Sequence, residues 1–563
     1  MMKLNNLKEL GVFLENKLVF PIEILKSDLK NGLNDIGNFI VKLREDETIE
    51  YVVDKVCDHA GGKMILKDSY LLCPLHGWKM DTKSLLYNSS HIKKQKINFE
   101  SNDKSIYIND FKKSIYNPFK KSKNGKVKIH YLNHATVYIE CNGKTIITDP
   151  WLFGPAFLTG WWLKNPSPKI SIDLLKQVDY VYISHNHPDH LHTETLSILD
   201  KNQKFIIPNF KSKSVQKYLE NIGFYNINSC DFNHIYELEV DFQFSILKSG
   251  DFRDDSGMYL NCNGHEILLT VDANFLNCHS LPVGIDLLMT SFAGGASGFP
   301  LCYSNYNDKN KIDILKRNKA AAKYNVHQYI KITKPLNYMP YAGMFNEKAQ
   351  RDLYINKLNS KNLIFDYSSI LEKENVNLIE TNNNQIVFFE DGKLQISKID
   401  NLSFLETENI NSYIELLKIK NPINEELIIE YFKKSNYKDS QILQIFLCDD
   451  NFNNKNDFFY FIDFYNQIFE KRKLPNVITY DRNNKLMNLN IRTEVFMAVV
   501  NNMLPWEDFS IGFQMRIERF PNEYESAFWY HFTNNYICDM NYRYDSNCGS
   551  CEVVKQNPIW NEI

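Results

Sequence analysis

The chain lacks the features that mark membrane, secreted and nucleic-acid-binding proteins. No stretch of its 563 residues approaches the roughly 18 uninterrupted apolar residues of a membrane span. Charges interrupt the start of the chain before an apolar signal segment develops, and the formal net charge of −3 gives no basic excess for nucleic acid. The eleven cysteines, an odd number without a secretion signal, argue against a disulfide framework. We therefore expect a cytoplasmic protein without a membrane or nucleic-acid partner.

A dense cluster of histidines follows one predicted strand. The segment 181–183 has the β-branched and aromatic side chains of a buried strand, and a His-x-His-x-Asp-His motif comes directly after it, at His185, His187, Asp189 and His190. The spacing places the first two rings on the same side of an extended chain. A proline then ends the strand, so the last two residues can turn to a second position. We interpret this segment as a metal site.

The motif resembles that of the metallo-β-lactamase superfamily. Three strands predicted within 127–149 precede it and a helix-like segment at 193–199 follows, which resembles the opening of the superfamily's αββα sandwich. The resemblance implies a bridging aspartate later in the chain, and Asp272, at a predicted strand end, fits that role. His134, between the first two strands, either faces the site or only forms a hydrogen bond at a strand end.

Two Cys-His pairs lie nearer the N-terminus. Cys57-x-His59 and Cys73-x-x-His76 each supply one thiol and one imidazole, whereas zinc fingers pair cysteine with cysteine and histidine with histidine. The arrangement resembles the Rieske family, in which two cysteines hold one iron of a [2Fe–2S] cluster and two histidines hold the other. The resemblance implies that these four residues bind such a cluster. A zinc site is the alternative.

Several further segments resemble one family of enzymes, the cytidine monophospho-N-acetylneuraminate hydroxylases. Members of this family turn the N-acetyl group of CMP-sialic acid into N-glycolyl. The resemblance covers nearly the whole chain, in the order Rieske region, metallo-β-lactamase region and tail. The segments that carry it are Asp149–Leu163, Ser291–Pro300, Met339–Phe345, Pro505–Glu507, Ile511–Arg516 and Ala527–Phe532.

We therefore expect a multidomain chain with three parts. They are an N-terminal all-β Rieske domain at 1–115, a central αββα metallo-β-lactamase sandwich at 125–350 and a C-terminal mixed α/β domain at 385–563. An asparagine-rich stretch, Asn375–Asn384, is interpreted as a domain boundary or a long loop. Near the end, Cys548 and Cys551 are interpreted as reduced thiols, with metal binding or redox chemistry as the alternative.

The sequence departs from the superfamily pattern at two expected ligands. Where a middle histidine is expected, the segment offers only carboxylates, at Asp251, Asp254 and Asp255. A carboxylate can replace imidazole at ferrous iron, so we predict that one of them, above all Asp251, lies in or beside the ligand shell. At the late position Tyr341 stands in place of an imidazole. A complete dizinc hydrolase site is therefore hard to assemble.

Two histidines and one carboxylate form the facial arrangement of non-heme iron(II) oxygenases. We assign His185, His187 and Asp272 to iron. Asp189 and His190 are predicted as further ligands or as their hydrogen-bond partners, for one or two ions.

Contacts with a nucleotide sugar are predicted from two later segments. A glycine-rich loop can offer backbone amides to a phosphate, or can simply be a tight turn beside the metals. Arginine side chains can pair with phosphate or carboxylate groups. The predicted substrate contacts are Gly294, Gly295, Ser297 and Arg516, with Arg519 as a further candidate.

The two predicted metal centres favour one reaction class. A Rieske cluster carries single electrons, for which a hydrolase has no use, whereas a ferrous site needs electrons to cleave O2. We predict an O2-dependent monooxygenase that hydroxylates the N-acetyl group of a nucleotide sugar and takes electrons from a b-type cytochrome, a ferredoxin or a flavin reductase. The alternatives are the same chemistry on another nucleotide-activated amino sugar or N-acyl substrate, and a metal-dependent hydrolase of a phosphodiester or lactone.

Overall fold

The computed structural model of the chain describes residues 21–58, 63–73, 78–87, 93–108, 123–250, 253–279, 281–481 and 484–537. Three parts of the predicted site lie outside these ranges, namely His59, His76 and Asp251. The cysteines at 538, 548 and 551 lie outside them as well. Within the described part of the chain, no helix combines the length and apolarity needed to cross a bilayer.

The N-terminal module, residues 21–108, consists of short strands in its described ranges. They form three antiparallel sheets with the orders β1-β9-β8, β2-β3-β4 and β5-β6-β7, and a 3-10 turn spans Lys26–Asp28. The sequence pattern around 40–43, 50–53 and 64–66 favours strands, and a strand lies at each of these places. The strands are β1 (Ile22–Leu25), β2 (Gly32–Ile36), β3 (Phe39–Leu43), β4 (Ile49–Asp54), β5 (Ile65–Lys67), β6 (Tyr70–Leu72), β7 (Lys79–Asp81), β8 (Glu100–Ser101) and β9 (Ser105–Ile108).

The central module, residues 123–398, is built on two large sheets. Its strands are β10 (Lys126–Asn133), β11 (Thr136–Cys141), β12 (Lys144–Thr148), β13 (Trp162–Leu163), β14 (Tyr180–Tyr182), β15 (Lys204–Pro208), β16 (Ile227–Cys230), β17 (Ile235–Glu239), β18 (Phe242–Lys248), β19 (Ser256–Cys262), β20 (His265–Leu269), β21 (Leu287–Ser291), β22 (Asn337–Tyr341), β23 (Phe345–Asn346), β24 (Asn377–Leu378), β25 (Gln385–Glu390) and β26 (Lys393–Lys398). One sheet has the order β16-β15-β14-β12-β11-β10-β25-β26, and the other has the order β17-β18-β19-β20-β21-β22-β24. Strands β13 and β23 form a small separate pair.

Helices cover the outer faces of both sheets. They are α1 (Ile170–Gln177), α2 (Thr193–Leu196), α3 (Ser214–Asn221), α4 (Asp308–Thr333), α5 (Leu353–Leu358) and α6 (Ser368–Glu374), with 3-10 turns at Leu276–His279, Gln350–Asp352 and Ile364–Tyr367. The α1 and α3 side chains pack on the first sheet, and the α4 side chains pack on the second sheet, beside β21. The predicted αββα layers are confirmed.

The sandwich extends further along the chain than predicted. β25 pairs antiparallel with β10, and β26 pairs with β25, so this hairpin belongs to the first sheet. The sandwich therefore ends near Lys398, past the expected limit at 350, and the C-terminal domain does not begin at 385. The asparagine-rich stretch Asn375–Asn384 connects two parts of one sandwich, because polar composition marks a surface connection without showing what it connects.

The C-terminal module, residues 410–535, combines helices with one mixed sheet. Its elements are α7 (Ile410–Lys420), α8 (Glu425–Lys434), β27 (Gln441–Cys448), β28 (Phe458–Asp463), β29 (Ile468–Lys473), β30 (Lys485–Arg492), α9 (Thr493–Asn502), α10 (Glu507–Ile511), β31 (Met515–Phe520), α11 (Ser526–Tyr530) and a π-helical turn at His531–Asn535. The sheet order is β29-β28-β27-β30-β31. The mixed α/β character predicted for this region is confirmed.

The C-terminal module packs directly on the sandwich. Side chains of its sheet and helices share one buried cluster with Trp161 and Phe345 of the sandwich. The rings of these two residues stack with centroids 3.5 Å apart. The loop that contains Trp161 is therefore held between two modules.

The N-terminal module contacts both other modules. Its buried cluster includes Tyr324 of α4 and Tyr530 of α11. Trp78 stacks on Tyr524, with ring centroids 5.8 Å apart. Beside this stack, Lys79 Nζ lies 2.8 Å from a carboxylate oxygen of Glu523. The three modules thus form one continuous packed body around the sandwich.

Candidate metal centre and the cavity beside it

The His-x-His-x-Asp-His loop begins at the carboxyl end of β14, inside the first sheet. β14 lies between β12 and β15 and runs parallel to both. The Ser184 backbone N–H and hydroxyl both donate to the carboxylate of Asp149, which follows β12, at 2.7 Å. Because the ends of parallel strands meet at one sheet edge, this carboxylate fixes where the loop starts.

The structure brings most of the predicted ligands together. Three sets of side chains each present donor atoms within 4.8 Å of one another. The sets are His134, Asp189 and His190; His185, His190 and Asp272; and His185, His187 and Asp255. Because His185 and His190 belong to two sets each, the three sets form one continuous group of candidate metal ligands, here called the metal cluster.

His190 occupies the middle of this cluster. Its Nδ1 lies 3.0 Å from Asp149 Oδ2, which leaves Nε2 directed towards two carboxylates. Nε2 lies 3.4 Å from Asp189 Oδ2 and 3.4 Å from Asp272 Oδ2. Asp189 Oδ2 also lies 3.0 Å from His134 Nε2. A carboxylate behind an imidazole is the usual arrangement that orients a metal-binding histidine.

His185 and His187 point their ring nitrogens at each other. His185 Nδ1 lies 2.9 Å from the Ser184 hydroxyl, and its Nε2 lies 2.8 Å from His187 Nδ1. His185 Nε2 is also 3.6 Å from Asp255 Oδ1. The opposite nitrogen of His187, Nε2, lies 3.6 Å from Glu507 Oε2 of the C-terminal module.

The carboxylates are distributed differently from the predicted facial set. Asp272 groups with His185 and His190, while His187 groups with Asp255. The three residues that the sequence assigned to iron therefore do not form one set by themselves. Asp255 occupies the place considered for a carboxylate ligand, whereas Asp251, the preferred candidate, lies outside the described residues.

Charges in the cluster shift several pKa values. Burial lowers the pKa of His190, but the carboxylates of Asp189 and Asp149 outweigh burial and hold it well above its usual value. Burial likewise lowers the pKa of His187, yet the contact with Glu507 and nearby negative charges raise it to about 9. Burial raises the pKa of Asp508, the next residue along α10, to about 8. Nearby carboxylates thus favour the charged forms of His187 and His190, whereas burial favours the neutral form of Asp508.

The structure describes only two of the four residues predicted to bind a [2Fe–2S] cluster. Cys57 and Cys73 are both buried, and both belong to the apolar cluster that includes Trp78. The backbone N–H of Cys73 donates to the Trp78 carbonyl at 2.7 Å. His59 and His76 lie outside the described residues. The cysteines whose side chains are described form no disulfide with one another.

A cavity of about 380 Å³ adjoins the metal cluster. Its volume lies in the range of small-molecule sites, roughly 300–1,000 Å³. All three modules contribute to its wall, among them Trp78, His187, Asp189, Asp272, Glu507 and Arg519. The cavity is therefore complete only when the modules are assembled.

Three of the four predicted substrate residues line this cavity. They are Gly294, Gly295 and Ser297. Arg516 does not line it: its guanidinium packs over the ring of Phe452, 3.9 Å from the centroid, and donates to two backbone carbonyls. Side chains alternate along β31, so Arg516 lies on the face opposite Arg519, which does line the cavity.

Sequence reasoning left out several residues of the site. Asp149 follows β12 as the histidine loop follows β14, so the rule that parallel strands end at one edge could have identified it. His134 was left open, and the structure turns it towards Asp189. Glu507 carries no signal of its own, because it comes from another module more than three hundred residues later.

Tyr341, at the expected late position, contributes to the sandwich core. It is fully buried, and its hydroxyl accepts a hydrogen bond of 3.1 Å from the backbone N–H of Val271, the residue before Asp272. The tyrosine therefore holds the turn after β20 that contains Asp272.

A family model described as "Beta-lactamase superfamily domain" matches residues 128–259. The match runs from β10 into β19 and includes the histidine loop. Together with the αββα layers, it shows that the central module has the metallo-β-lactamase fold, as predicted.

Two solved structures show weaker likeness. CmlA, a diiron β-hydroxylase from Streptomyces venezuelae, is 15% identical with a TM-score of 0.33, over 49% of this chain and 54% of that one. The isothiocyanate hydrolase from Delia radicum gut bacteria is 12% identical with a TM-score of 0.33, over 47% of this chain and 99% of that one. At these identities and TM-scores, neither structure indicates which reaction this chain catalyses.

Curated relatives match along most of the chain. The cytidine monophosphate-N-acetylneuraminic acid hydroxylase of Macaca mulatta is 28% identical over 558 residues, covering 91% of this chain and 92% of that protein. Proteins of the same name from Asterias rubens and Mus musculus are 29% and 28% identical, covering 92% and 91% of this chain and 86% and 94% of their own lengths. The predicted resemblance to these hydroxylases is therefore confirmed along nine-tenths of the chain, and with it the prediction of a hydroxylase-like oxidoreductase.

Proposed function

We propose that the chain is a Rieske-dependent, non-heme iron monooxygenase that hydroxylates the N-acetyl group of CMP-N-acetylneuraminate to N-glycolyl. The substrate follows the relatives, whose names describe hydroxylases of this compound. The observation that carries the proposal is the position of the largely buried histidine and carboxylate sets, which open onto a cavity of ligand size. A site of that form can hold a nucleotide sugar beside a metal.

The donor atoms fit iron. Imidazole nitrogens and carboxylate oxygens are the ligands of non-heme iron(II). Nε2 of His190 and Oδ1 of Asp189 are buried and make no hydrogen bond among the described residues, and a bound cation would satisfy both. The overlapping sets allow one or two ions. Iron held there supplies the binding and activation of O2.

The N-terminal module is proposed to carry the electrons. Cys57, His59, Cys73 and His76 would hold a [2Fe–2S] cluster, which passes single electrons. The burial of both thiols in one apolar cluster supports this assignment. Each hydroxylation consumes one O2, two electrons and two protons, and releases one oxygen atom as water. An external donor must therefore supply the electron pair, and a b-type cytochrome, a ferredoxin or a flavin reductase has suitable chemistry.

The chain's own residues orient the donors and enclose the substrate. Asp149 and Ser184 fix the rings of His190 and His185 through their Nδ1 atoms. Glu507 lies against the outer nitrogen of His187 and so connects the C-terminal module to the metal cluster. Aromatic side chains line the cavity and limit the access of water, among them Phe157, Trp161, Tyr303 and Tyr329.

An oxygen-labelling experiment tests the reaction class. Iron-loaded protein with reductant and CMP-N-acetylneuraminate should yield a product heavier by one oxygen atom, with the label taken from oxygen gas. His185→Ala should lower the iron content and abolish product, whereas Cys57→Ser should remove the reduced-state EPR signal of the cluster and leave iron at the other site. Turnover under argon, or label taken only from water, contradicts the proposal.

A metal-dependent hydrolase is the second candidate, favoured by the superfamily match over residues 128–259. Such an enzyme would cleave a phosphodiester or a lactone, work with zinc, and need neither O2 nor reductant. Assaying zinc-loaded protein under argon against both substrate classes separates the two candidates. A panel of other nucleotide-activated amino sugars and N-acyl compounds, run with reductant under air, tests the choice of substrate.

A further inference from the structure

Arg519 is a buried arginine on the wall of the cavity. It is 6% exposed and lies on β31, whose inward positions are Met515, Ile517 and Arg519 itself. Among the residues that the structure describes, no carboxylate oxygen lies within 4.0 Å of its guanidinium. Burying a positive charge without a counter-charge costs free energy. A bound anionic group would therefore stabilise the Arg519 guanidinium.

The buried side chains of two other arginines, Arg492 of the same module and Arg351 of the neighbouring sandwich, are neutralised. Arg492 pairs with Asp352 at 2.8 Å, and Arg351 pairs with Glu494 at 2.6 Å and Asp450 at 2.7 Å. Charge pairing is therefore the way in which this part of the fold accommodates buried guanidinium groups. Arg519 differs from both because it faces a cavity.

The guanidinium of Arg519 is held in a fixed position. Its Nε donates to the side-chain oxygen of Asn522 at 3.0 Å, and its plane lies over the ring of Tyr303, 4.6 Å from the centroid. Asn305 bonds both the backbone N–H and the backbone carbonyl of Arg519 at 3.0 Å. These contacts leave the terminal nitrogens available for a ligand, and a pre-positioned guanidinium loses little freedom on binding.

The same cavity contains the metal cluster at another part of its wall. His187, Asp189 and Asp272 line it together with Arg519. Arg253 also lines the cavity. Its guanidinium lies 3.3 Å from a carboxylate oxygen of Asp255, so a member of the metal cluster already balances its charge. A ligand anchored by its anionic group on Arg519 can thus extend towards the metals without leaving the cavity.

We propose that Arg519 binds an anionic group of the substrate, a phosphate or a carboxylate, and so determines which molecules enter the cavity. The inference rests on the proposed function for the identity of the substrate, because CMP-N-acetylneuraminate carries both groups. Guanidinium suits either one, since it can donate two parallel hydrogen bonds to two oxygens. Arg519 binds substrate, and the metal cluster performs the reaction.

Binding measurements test this assignment. Isothermal titration of the metal-loaded full chain, without O2 or reductant, would use CMP-N-acetylneuraminate, CMP, N-acetylneuraminate and cytidine. Arg519→Gln should raise the Kd for CMP-N-acetylneuraminate roughly 10- to 100-fold, the loss expected for charge-assisted hydrogen bonds. Arg519→Lys keeps the charge and should recover part of the affinity. Arg516→Gln, on the opposite face of the same strand, should leave the Kd unchanged.

The probes identify the group that is bound. A loss for CMP with cytidine unaffected identifies the phosphate, and a loss for N-acetylneuraminate identifies the carboxylate. Equal Kd values for wild type and Arg519→Gln with every charged probe would overturn the inference, as would a wild type that binds none of them. If CMP binds through Arg519 but CMP-N-acetylneuraminate is not hydroxylated, the inference stands and the proposed substrate is wrong. If hydroxylation occurs and Arg519→Gln binds normally, only the inference is wrong.

Discussion

At the scale of single residues, we propose that Asp255 supplies a metal ligand in place of a histidine. It lies in one set with His185 and His187 and is almost fully buried. Asp255→Ala should weaken iron binding roughly tenfold or more, measured as iron retained after dialysis against a chelator. Asp313→Asn, an exposed carboxylate on α4, is the control. Iron retention equal to wild type in Asp255→Ala would rule out a ligand role.

Asp149 illustrates how a residue outside the motif supports the candidate metal ligands. Its carboxylate contacts His190 Nδ1 and both the hydroxyl and the backbone N–H of Ser184. Asp149→Asn keeps the shape but loses the charge, and should reduce iron affinity roughly 10- to 100-fold, measured by chelator competition. Asp179→Asn, which removes a carboxylate bonded to Thr145 elsewhere in the module, should keep the wild-type affinity.

The sequence identified most donors because they lie in one short motif. His185, His187 and His190 are close in sequence and stay close in space, since the loop turns within six residues. Asp149 and Glu507 were not identified, because their roles depend on which strands and modules become neighbours. A motif shows the ligands that local geometry brings together, whereas their partners depend on tertiary packing.

At the scale of elements, two backbone turns approach each other very closely. A Cβ placed on Gly160 would collide with the carbonyl of Gly512, a backbone group that cannot move aside. Gly160→Ala should therefore destabilise the fold by about 3 kcal/mol. Gly143→Ala, in a hairpin with φ +74° and open space around it, should cost only about 1 kcal/mol. Urea unfolding measures both, and equal losses would contradict the clash.

The π-helical turn at the end of the described chain contains an acid-sensitive histidine. Burial lowers the pKa of His531 from 6.5 to about 4, partly offset by its hydrogen bond with the Ser435 carbonyl at 2.8 Å. The unfolded chain therefore binds more protons below pH 6.5, and stability is lost as the pH falls from 6.5 towards 4.

His531→Gln should flatten this pH dependence. At pH 5 the histidine should cost at most about 2 kcal/mol relative to pH 7, from about 1.4 kcal/mol per pH unit below 6.5. Urea midpoints between pH 7.5 and 5 measure the slope for wild type and variant. His234→Gln, at an exposed position, is the control and should keep the wild-type slope. An unchanged slope in His531→Gln would show that another group is responsible.

Elements with strong local patterns were predicted well. The sequence pattern of 441–448 favours a strand, and this segment is β27; the pattern of 425–434 favours a helix, and this segment is α8. Asparagine caps the helix at Asn424, where its side chain accepts from the Leu427 backbone N–H, so some of the chain's many asparagines have a structural role. The β25–β26 hairpin was assigned to the wrong module, because its pairing with β10 depends on residues far earlier in the chain.

At the scale of the whole molecule, the side chain of Trp78 packs at the contact between the N-terminal and C-terminal modules. Its ring is 7% exposed and stacks on Tyr524. Trp78→Leu should cost about 3 kcal/mol and increase hydrogen exchange around 520–530. Lys79→Met removes only the half-exposed ion pair with Glu523 and should cost less than about 1 kcal/mol. Unchanged exchange in Trp78→Leu would show that the stack does not hold the modules together.

The late pairing of β25 with β10 has a consequence for synthesis on the ribosome. Lys126, in β10, pairs with Glu390, in β25, so one edge of β10 stays without its neighbour until the hairpin has been made. At about 5–20 residues per second, that wait is on the order of ten seconds to a minute. An open strand edge can pair with other chains. Nascent chains that stop before Lys398 should therefore aggregate, and chaperones that cover strand edges should matter most during this interval.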